Sequence, residues 1–146
     1  KLHGLAALRI GYAVSHPEAA DMLNRVKLPF NISSTAMIAV IAAFGDHEHI
    51  EATLTLNQEG MQYLKEELAK MHITFLPPAG NFMTIDIAQD GVNLYQALLR
   101  EGVIVRPLVG YGLPTFLRVS IGTMAENQRF ITSLRKVLCH PYHANT

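Results

Sequence analysis

Two arginines interrupt apolar segments that have the pattern of β-strands. Arg118 stands in TFLRVSIG between Leu117 and Val119, and Arg106 stands in VIVRPL directly before Pro107. A lone strand arginine usually reaches solvent, but its planar, permanently charged guanidinium also suits a carboxylate or phosphate, which it binds through two parallel hydrogen bonds. Because the two arginines take matching positions in two apolar strands, they indicate an anion-binding site.

A second group of candidate residues lies at the start of the chain. Lys1, Gly4 and Arg9 occur within KLHGLAALR, where the glycine permits a tight turn and the arginine enters an apolar run. A terminal lysine indicates no chemistry by itself. The significance of Lys1 and Arg9 therefore depends on the whole string that contains them.

Composition excludes several classes of protein. The chain has 146 residues, the length of one domain, and its 12 basic side chains balance 12 acidic ones. Nucleic-acid binding is not expected, because it requires a clustered basic excess. The longest apolar run, AMIAVIAAF, is too short to span a membrane. Cys139 is the one cysteine, which excludes a disulfide framework within the chain and predicts a reducing, cytoplasmic setting.

The first half of the sequence predicts one strand and three helices. Alternating Ile10, Tyr12 and Val14 predict a strand at about 8–14, and Pro17 predicts the first residue of a helix. STAMIAVIAAF predicts a helix that is apolar on nearly all sides and therefore buried. An amphipathic helix is predicted from about 48 to 71.

The remainder alternates between strand and helix patterns. The order from residue 73 is strand, strand, helix, strand, strand, helix, represented by ITFLP, FMTIDI, VNLYQALLREG, VIVRPL, FLRVSIG and AENQRFITSLRKVL. Thr123 is the expected cap of the last helix. This pattern predicts an α/β layer with the helices on one face of the sheet.

The first residues and several later strings together resemble a known family. KLHGLAALRIGY is similar to the K-x-x-G-L-A-G-L-R-x-G-Y signature of fold-type I pyridoxal-phosphate aminotransferases, with Ala7 in place of the second glycine. HPE, PFNISS, AGNF, LLREGVIVRPL, YGLP and LRVSIGT continue the resemblance along almost the whole chain. Among these enzymes the sequence looks most like the histidinol-phosphate aminotransferases.

The resemblance implies a role for each candidate residue. Lys1 takes the position of the lysine that holds pyridoxal 5'-phosphate covalently and transfers the proton, and Arg9 that of the arginine that binds the cofactor phosphate. Arg118 takes the position of the arginine that binds the anionic end of the substrate. Asn81 in AGNF corresponds to a position near the active site, and Arg106 to an arginine on the substrate-phosphate side.

The resemblance also implies an architecture and an activity. The chain would be the C-terminal portion of the enzyme, with residues 1–46 a remnant of the large cofactor-binding domain and 47–146 the connecting helix and small domain. The complete enzyme would be a cytoplasmic homodimer that transfers an amino group between L-histidinol phosphate and 2-oxoglutarate in histidine biosynthesis. The chain is expected to be inactive alone and, because residues 5–46 should expose apolar surface, to self-associate.

Three alternatives remain open at the level of sequence. The protein could be another enzyme of the same fold, such as an aromatic amino acid aminotransferase or a phospho-amino-acid decarboxylase. It could instead be a non-enzymatic α/β module that binds an anion through Arg106 and Arg118.

His47 with His49, and His140 with His143, lack the additional ligands of a metal site, so no metal is expected.

Overall fold

A computed structural model describes residues 2–139, in which five helices and four strands follow one another along the chain. The helices are α1 (Pro17–Val26), α2 (Ser34–Phe44), α3 (His47–Lys70), α4 (Gly91–Arg100) and α5 (Met124–Cys139). The strands are β1 (Thr74–Leu76), β2 (Phe82–Asp86), β3 (Arg106–Leu108) and β4 (Leu113–Ser120), with short 3-10 turns at Ala6–Leu8 and Val109–Tyr111. None of the helices in this described part is long and apolar enough to cross a membrane.

The contacts divide the chain into two units, Lys1–Leu54 and Thr55–Thr146, with the division inside α3. The expected boundary between residues 46 and 47 coincides instead with the start of that helix. The assignment of the two parts to a large-domain remnant and a small domain stays a prediction.

The first unit contains helices but no strand among its described residues. The strand predicted at 8–14 is wrong: a 3-10 turn covers Ala6–Leu8, and the backbone that follows is irregular. A strand needs a neighbour to accept and donate its backbone hydrogen bonds, and the described residues of this unit supply none. The residues Ile10, Tyr12 and Val14 thus alternate in the sequence as in a strand, but the described residues of this unit form no sheet.

Local sequence signals explain where α1 and α2 begin. The ring of His16 accepts a hydrogen bond from the backbone of Glu18 at 3.4 Å, and Pro17 is the first residue of α1. Ser33 accepts a hydrogen bond from the backbone of Ala36 at 3.2 Å and so caps α2. The predicted burial of α2 is wrong, because within this unit only Ala36 is buried along that helix.

The second unit is a four-stranded antiparallel sheet in the order β1-β2-β4-β3, packed against three helices. Burial alternates along β2 and β4, so that Met83 and Ile85 share the core with Leu117 and Val119. These side chains pack with buried residues of α3, α4 and α5, among which Leu64, Leu98 and Leu134 have no exposed surface. The predicted helix-covered sheet is therefore present.

A register shift interrupts the pairing of β3 with β4. Pro107 is opposite Leu117, whereas the next residue, Leu108, is opposite Leu113. The residues 114–116 therefore form a bulge in β4. A Cβ atom on Gly91 would lie 3.0 Å and 3.2 Å from the carbonyl oxygens of Pro114 and Phe116, so the start of α4 packs directly against this bulge.

Thr123 and Glu126 form a reciprocal cap at the start of α5, as predicted for Thr123. Thr123 accepts a hydrogen bond from the Glu126 backbone at 3.3 Å, and the Glu126 carboxylate accepts from the backbone and hydroxyl of Thr123 at 2.7 and 2.8 Å. Hydrogen bonds from the backbone and then the hydroxyl of Thr123 lower the pKa of Glu126, because they favour the charged carboxylate.

This cap predicts a pH-dependent contribution to stability. A carboxyl group whose pKa is lower in the folded state stabilises the fold above its unfolded pKa and ceases to do so as the pH falls through the folded value. Glu126→Gln should therefore unfold at a lower temperature at pH 7, and this difference should shrink below about pH 4, near the ordinary glutamate pKa. Thermal unfolding across this range measures it. Glu51→Gln, an exposed change on α3, is the control, and a difference independent of pH would contradict the prediction.

Candidate active site

Arg106 and Arg118 lie on the sheet face opposite the three helices. Leu117 and Val119 point from β4 into the core, so Arg118 between them points to the other face. Arg106 of β3 is the direct pairing partner of Arg118, and Thr84 of β2 is its partner on the other side. Directly opposed residues of antiparallel strands share a face. The fold thus brings together the two arginines that were predicted to form an anion site.

This pairing places two positive charges where they repel each other. Like charges directly opposite on neighbouring strands are destabilising. Arg106 is exposed and Arg118 is half-buried. An anion bound between them would remove the repulsion and accept hydrogen bonds from both guanidinium groups.

An aromatic ring accompanies each arginine. The guanidinium carbon of Arg118 lies 5.3 Å from the ring centre of Phe82, and that of Arg106 lies 5.9 Å from the ring centre of Tyr111. Both distances are within the range of a cation–π contact. The rings therefore restrict the orientation of both guanidinium groups on this face.

Asn81 immediately precedes the first residue of β2, beside the C-terminal end of β4. Its backbone carbonyl accepts a hydrogen bond from the backbone of Ile121 at 2.9 Å, directly beyond the Phe82–Ser120 pair. Asn81 is half-buried, and the next residue, Phe82, carries the ring that contacts the guanidinium of Arg118. Its position in the second unit is thus fixed by the same two strands that carry Thr84 and Arg118.

Arg9 belongs to the first unit and ends the 3-10 turn there. It has a left-handed backbone, with φ of 54°, and one guanidinium nitrogen donates a hydrogen bond to the carbonyl of Ala6 at 3.1 Å. The side chain is exposed and satisfies this carbonyl with one of its five donors. The chemistry of the remaining donors fits a phosphate group. Lys1, the residue expected to hold the cofactor, lies outside the described residues.

The first unit also contains an apolar groove of about 480 Å³. Its lining includes His3, Tyr12 and Phe44, whose rings meet edge to face with centres 5.1 Å apart for His3 and Phe44 and 5.7 Å for Tyr12 and Phe44. The Nδ1 atom of His3 is buried without a hydrogen-bond partner. This groove offers little to a charged phosphate, whereas the exposed guanidinium of Arg9 carries donors of the kind that a phosphate accepts.

Of the histidines that were considered as metal ligands, His49 has polar neighbours within the first unit. His49 Nε2 lies 3.2 Å from the carbonyl of Leu2 and 3.5 Å from the hydroxyl of Thr53. Across residues 2–139 no group of three or more potential ligands could hold a metal ion. His140 and His143 lie outside this range.

Sequence patterns alone did not indicate Phe82 or Thr84 as part of this site. Strand alternation places both on the face opposite Met83 and Ile85, but their proximity to Arg118 depends on the register between β2 and β4. No local signal in either strand sets that register.

Comparison with known proteins defines the class to which this fold and site belong. A family model for aminotransferase class I and II matches residues 1–134, and the chain belongs to that family. Histidinol-phosphate aminotransferase 2 from Pseudomonas aeruginosa is 51% identical over 140 residues, which are 96% of this chain and 38% of that protein. The chain therefore spans well under half the length of this relative.

Two solved structures have the same fold. The putative histidinol-phosphate aminotransferase from Erwinia carotovora atroseptica matches with a TM-score of 0.85 and 25% identity, over 95% of this chain and 40% of that one. Histidinol-phosphate aminotransferase from Sinorhizobium meliloti, solved in complex with pyridoxal-5'-phosphate, matches with a TM-score of 0.79 and 26% identity, over 95% and 39%. The predicted α/β aminotransferase fold is confirmed.

Proposed function

We propose that this chain is the C-terminal portion of a pyridoxal-phosphate-dependent aminotransferase that acts on L-histidinol phosphate and 2-oxoglutarate. The direct pairing of Arg106 with Arg118 carries this proposal, because it supplies two guanidinium groups for an anionic substrate. The relatives named above support the choice of substrates. In this proposal residues 1–46 belong to the cofactor-binding domain, and residues 47–146 form the connecting helix and small domain.

Different residues of this chain would bind the cofactor and the substrate. Lys1 would hold the cofactor through its side-chain amine, and Arg9 would bind the cofactor phosphate with its exposed guanidinium. The cofactor supplies an electron-withdrawing ring that makes the α-hydrogen of the substrate acidic. The released amine of Lys1, in its neutral form, would then act as the base that moves this proton.

Arg118 and Arg106 would orient the substrate. Arg118 would bind the phosphate of the amino donor in one half-reaction and a carboxylate of 2-oxoglutarate or glutamate in the other. Arg106 would share the larger, doubly charged phosphate. Binding either anion at the same guanidinium pair would allow one substrate site to serve both half-reactions. Asn81 would contact the substrate from the end of β2.

The setting of the complete enzyme is part of the same proposal. A single exposed cysteine, Cys139, is compatible with a reducing cytoplasm. Large apolar side chains of the first unit are exposed within this chain, including Val14, Phe30 and Ile38, as expected for residues 5–46. Such surface favours association. We propose that the complete enzyme is a homodimer.

Reduction with borohydride tests the assignment of Lys1. The complete enzyme, incubated with pyridoxal phosphate and reduced, should carry one cofactor adduct, located by peptide mass spectrometry on the side-chain amine of Lys1. Lys1→Arg should lose this adduct and retain the fold. Adducts spread over other lysines at comparable occupancy would contradict the assignment.

Comparison of amino donors tests the substrate. With 2-oxoglutarate as acceptor, glutamate should form fastest from L-histidinol phosphate, with phenylalanine and O-phosphothreonine as comparison donors. A preference for phenylalanine would instead indicate an aromatic amino acid aminotransferase. Release of carbon dioxide from O-phosphothreonine would indicate a decarboxylase.

A further inference from the structure

A buried amide on α5 binds the backbone segment that leaves β4. Asn127 is 2% exposed, and its side chain makes two hydrogen bonds to one residue, Gly122. The amide nitrogen donates to the Gly122 carbonyl at 3.0 Å, and the amide oxygen accepts from the Gly122 backbone nitrogen at 3.1 Å. The side chain thus pairs with the backbone as a neighbouring strand would, two residues beyond the last residue of β4.

The same segment is bound to Asn81. Ile121, adjacent to Gly122, donates its backbone hydrogen bond to the Asn81 carbonyl at 2.9 Å. Asn81 is followed by Phe82, whose ring contacts the guanidinium of Arg118. A continuous series of contacts therefore runs from Asn127 to two residues proposed to bind substrate.

Helix α3 also packs against the segment through which Asn127 is connected to Asn81. A Cβ atom on Gly60 would lie 2.6 Å from the Asn127 amide nitrogen and 2.6 Å from a methyl carbon of Ile121. One turn earlier, Asn57 donates to the carbonyl of Gly80 at 3.4 Å, directly before Asn81. The Asn127 amide is therefore buried close to Gly60, and α3 contacts both ends of the connection.

We propose that Asn127 is a positioning residue for the substrate-anion site. It fixes Gly122 and Ile121, which hold Asn81, and through Phe82 it fixes the orientation of the Arg118 guanidinium. The charge of the site comes from the arginines, and Asn127 determines where that charge lies. This inference rests on the proposed function, because it assigns Asn127 to the same anion site.

Two variants separate positioning from a purely structural role. Asn127→Ser cannot reach Gly122 and removes both hydrogen bonds, whereas Asn127→Asp keeps the acceptor and removes the donor. Ser133→Ala is the matched control, because Ser133 is also a buried polar residue of α5, at 7% exposed. The measurements use the isotope-labelled 146-residue chain, with inorganic phosphate as the probe.

Amide hydrogen exchange is the first readout. Loss of a buried hydrogen bond corresponds to roughly a tenfold change in a local equilibrium. In Asn127→Ser the Ile121 amide should therefore lose about tenfold more protection than the amide of Leu98, a buried residue of α4. Ser133→Ala should lower both by the same factor. Equal losses at Ile121 and Leu98 in Asn127→Ser would overturn the proposal.

Phosphate titration is the second readout, followed at the side-chain Nε–H signal of Arg118. Under conditions in which each variant is fully folded, Asn127→Ser should raise the phosphate Kd about three- to tenfold, Asn127→Asp should raise it as well, and Ser133→Ala should leave it unchanged. An unchanged Kd in Asn127→Ser would overturn the positioning role while leaving the anion site intact. If phosphate does not shift the Arg118 signal of the unmodified chain, the anion site of the proposed function fails, and the inference fails with it.

Discussion

Arg118→Lys is expected to weaken substrate-anion binding about ten- to a hundredfold, although the positive charge is retained. Lysine is a compact point charge that cannot offer two parallel donors to one phosphate or carboxylate, and it loses the planar contact with Phe82. Charge-assisted hydrogen bonds contribute about 1.5–3 kcal/mol each, and 1.4 kcal/mol corresponds to a factor of ten. Loss of one bond and of the orienting contact accounts for this range.

Two measurements check this expectation. The phosphate Kd of the chain should rise, and in the complete enzyme the KM for L-histidinol phosphate should rise more than kcat falls, because the lost contact lies away from the reacting carbon. Arg100→Lys, at the exposed end of α4, is the matched control. The role of Arg118 would be contradicted if both arginine variants behaved alike. Arg106→Lys should have a smaller effect than Arg118→Lys, because Arg106 is exposed and lies farther from its ring.

Gly60→Ala is expected to destabilise the second unit by about 1–2 kcal/mol, although alanine is the better helix former. Helix propensity alone would stabilise α3 by about 0.5–1 kcal/mol. The new methyl group, however, would lie 2.6 Å from both Asn127 and Ile121, and overpacking of this kind costs about 1–3 kcal/mol. The steric effect is larger, and the net sign is a loss of stability.

Thermal or denaturant unfolding measures this difference. Thr55→Ala, at an exposed position of the same helix, gains helix propensity without a new contact and should be slightly stabilising. A Gly60→Ala variant as stable as Thr55→Ala would show that α3 can move away from Asn127 at little cost. Such an outcome would also contradict the role of α3 in holding the Asn127 amide in place.

Sequence patterns predicted the second unit well because each of its elements carries a local signal. Thr123 caps α5, and the alternation around Arg118 defines one face of β4 without reference to any neighbour. The predicted third strand extended over VIVRPL, whereas β3 is limited to Arg106–Leu108. The bulge at 114–116, on the other side of β3, was not indicated by any residue pattern.

The first unit was predicted less well because its patterns indicate burial that the described residues do not provide. The alternation of Ile10, Tyr12 and Val14 requires a neighbouring strand, and the apolar surface of α2 requires a covering layer. Without them Tyr12, Ile38 and Ile41 are exposed. The arginine site was likewise predicted only in part. Residue types indicated an anion site, whereas Phe82 and Thr84 could be assigned to it only from the sheet register.

The bulge in β4 has a consequence for insertions and deletions. In a regular hairpin, a change of one residue in length reverses which side chains face the core, and it would turn Arg106 away from Arg118. Here the chain already departs from regular pairing between Pro107 and Leu108, so an added residue can enlarge that departure while the arginine pair keeps its register. The residues 114–116 are held against Gly91, which leaves Val109–Tyr111 as the place where a change in length would preserve the register of the arginine pair, while it would alter the contact of Tyr111 with Arg106.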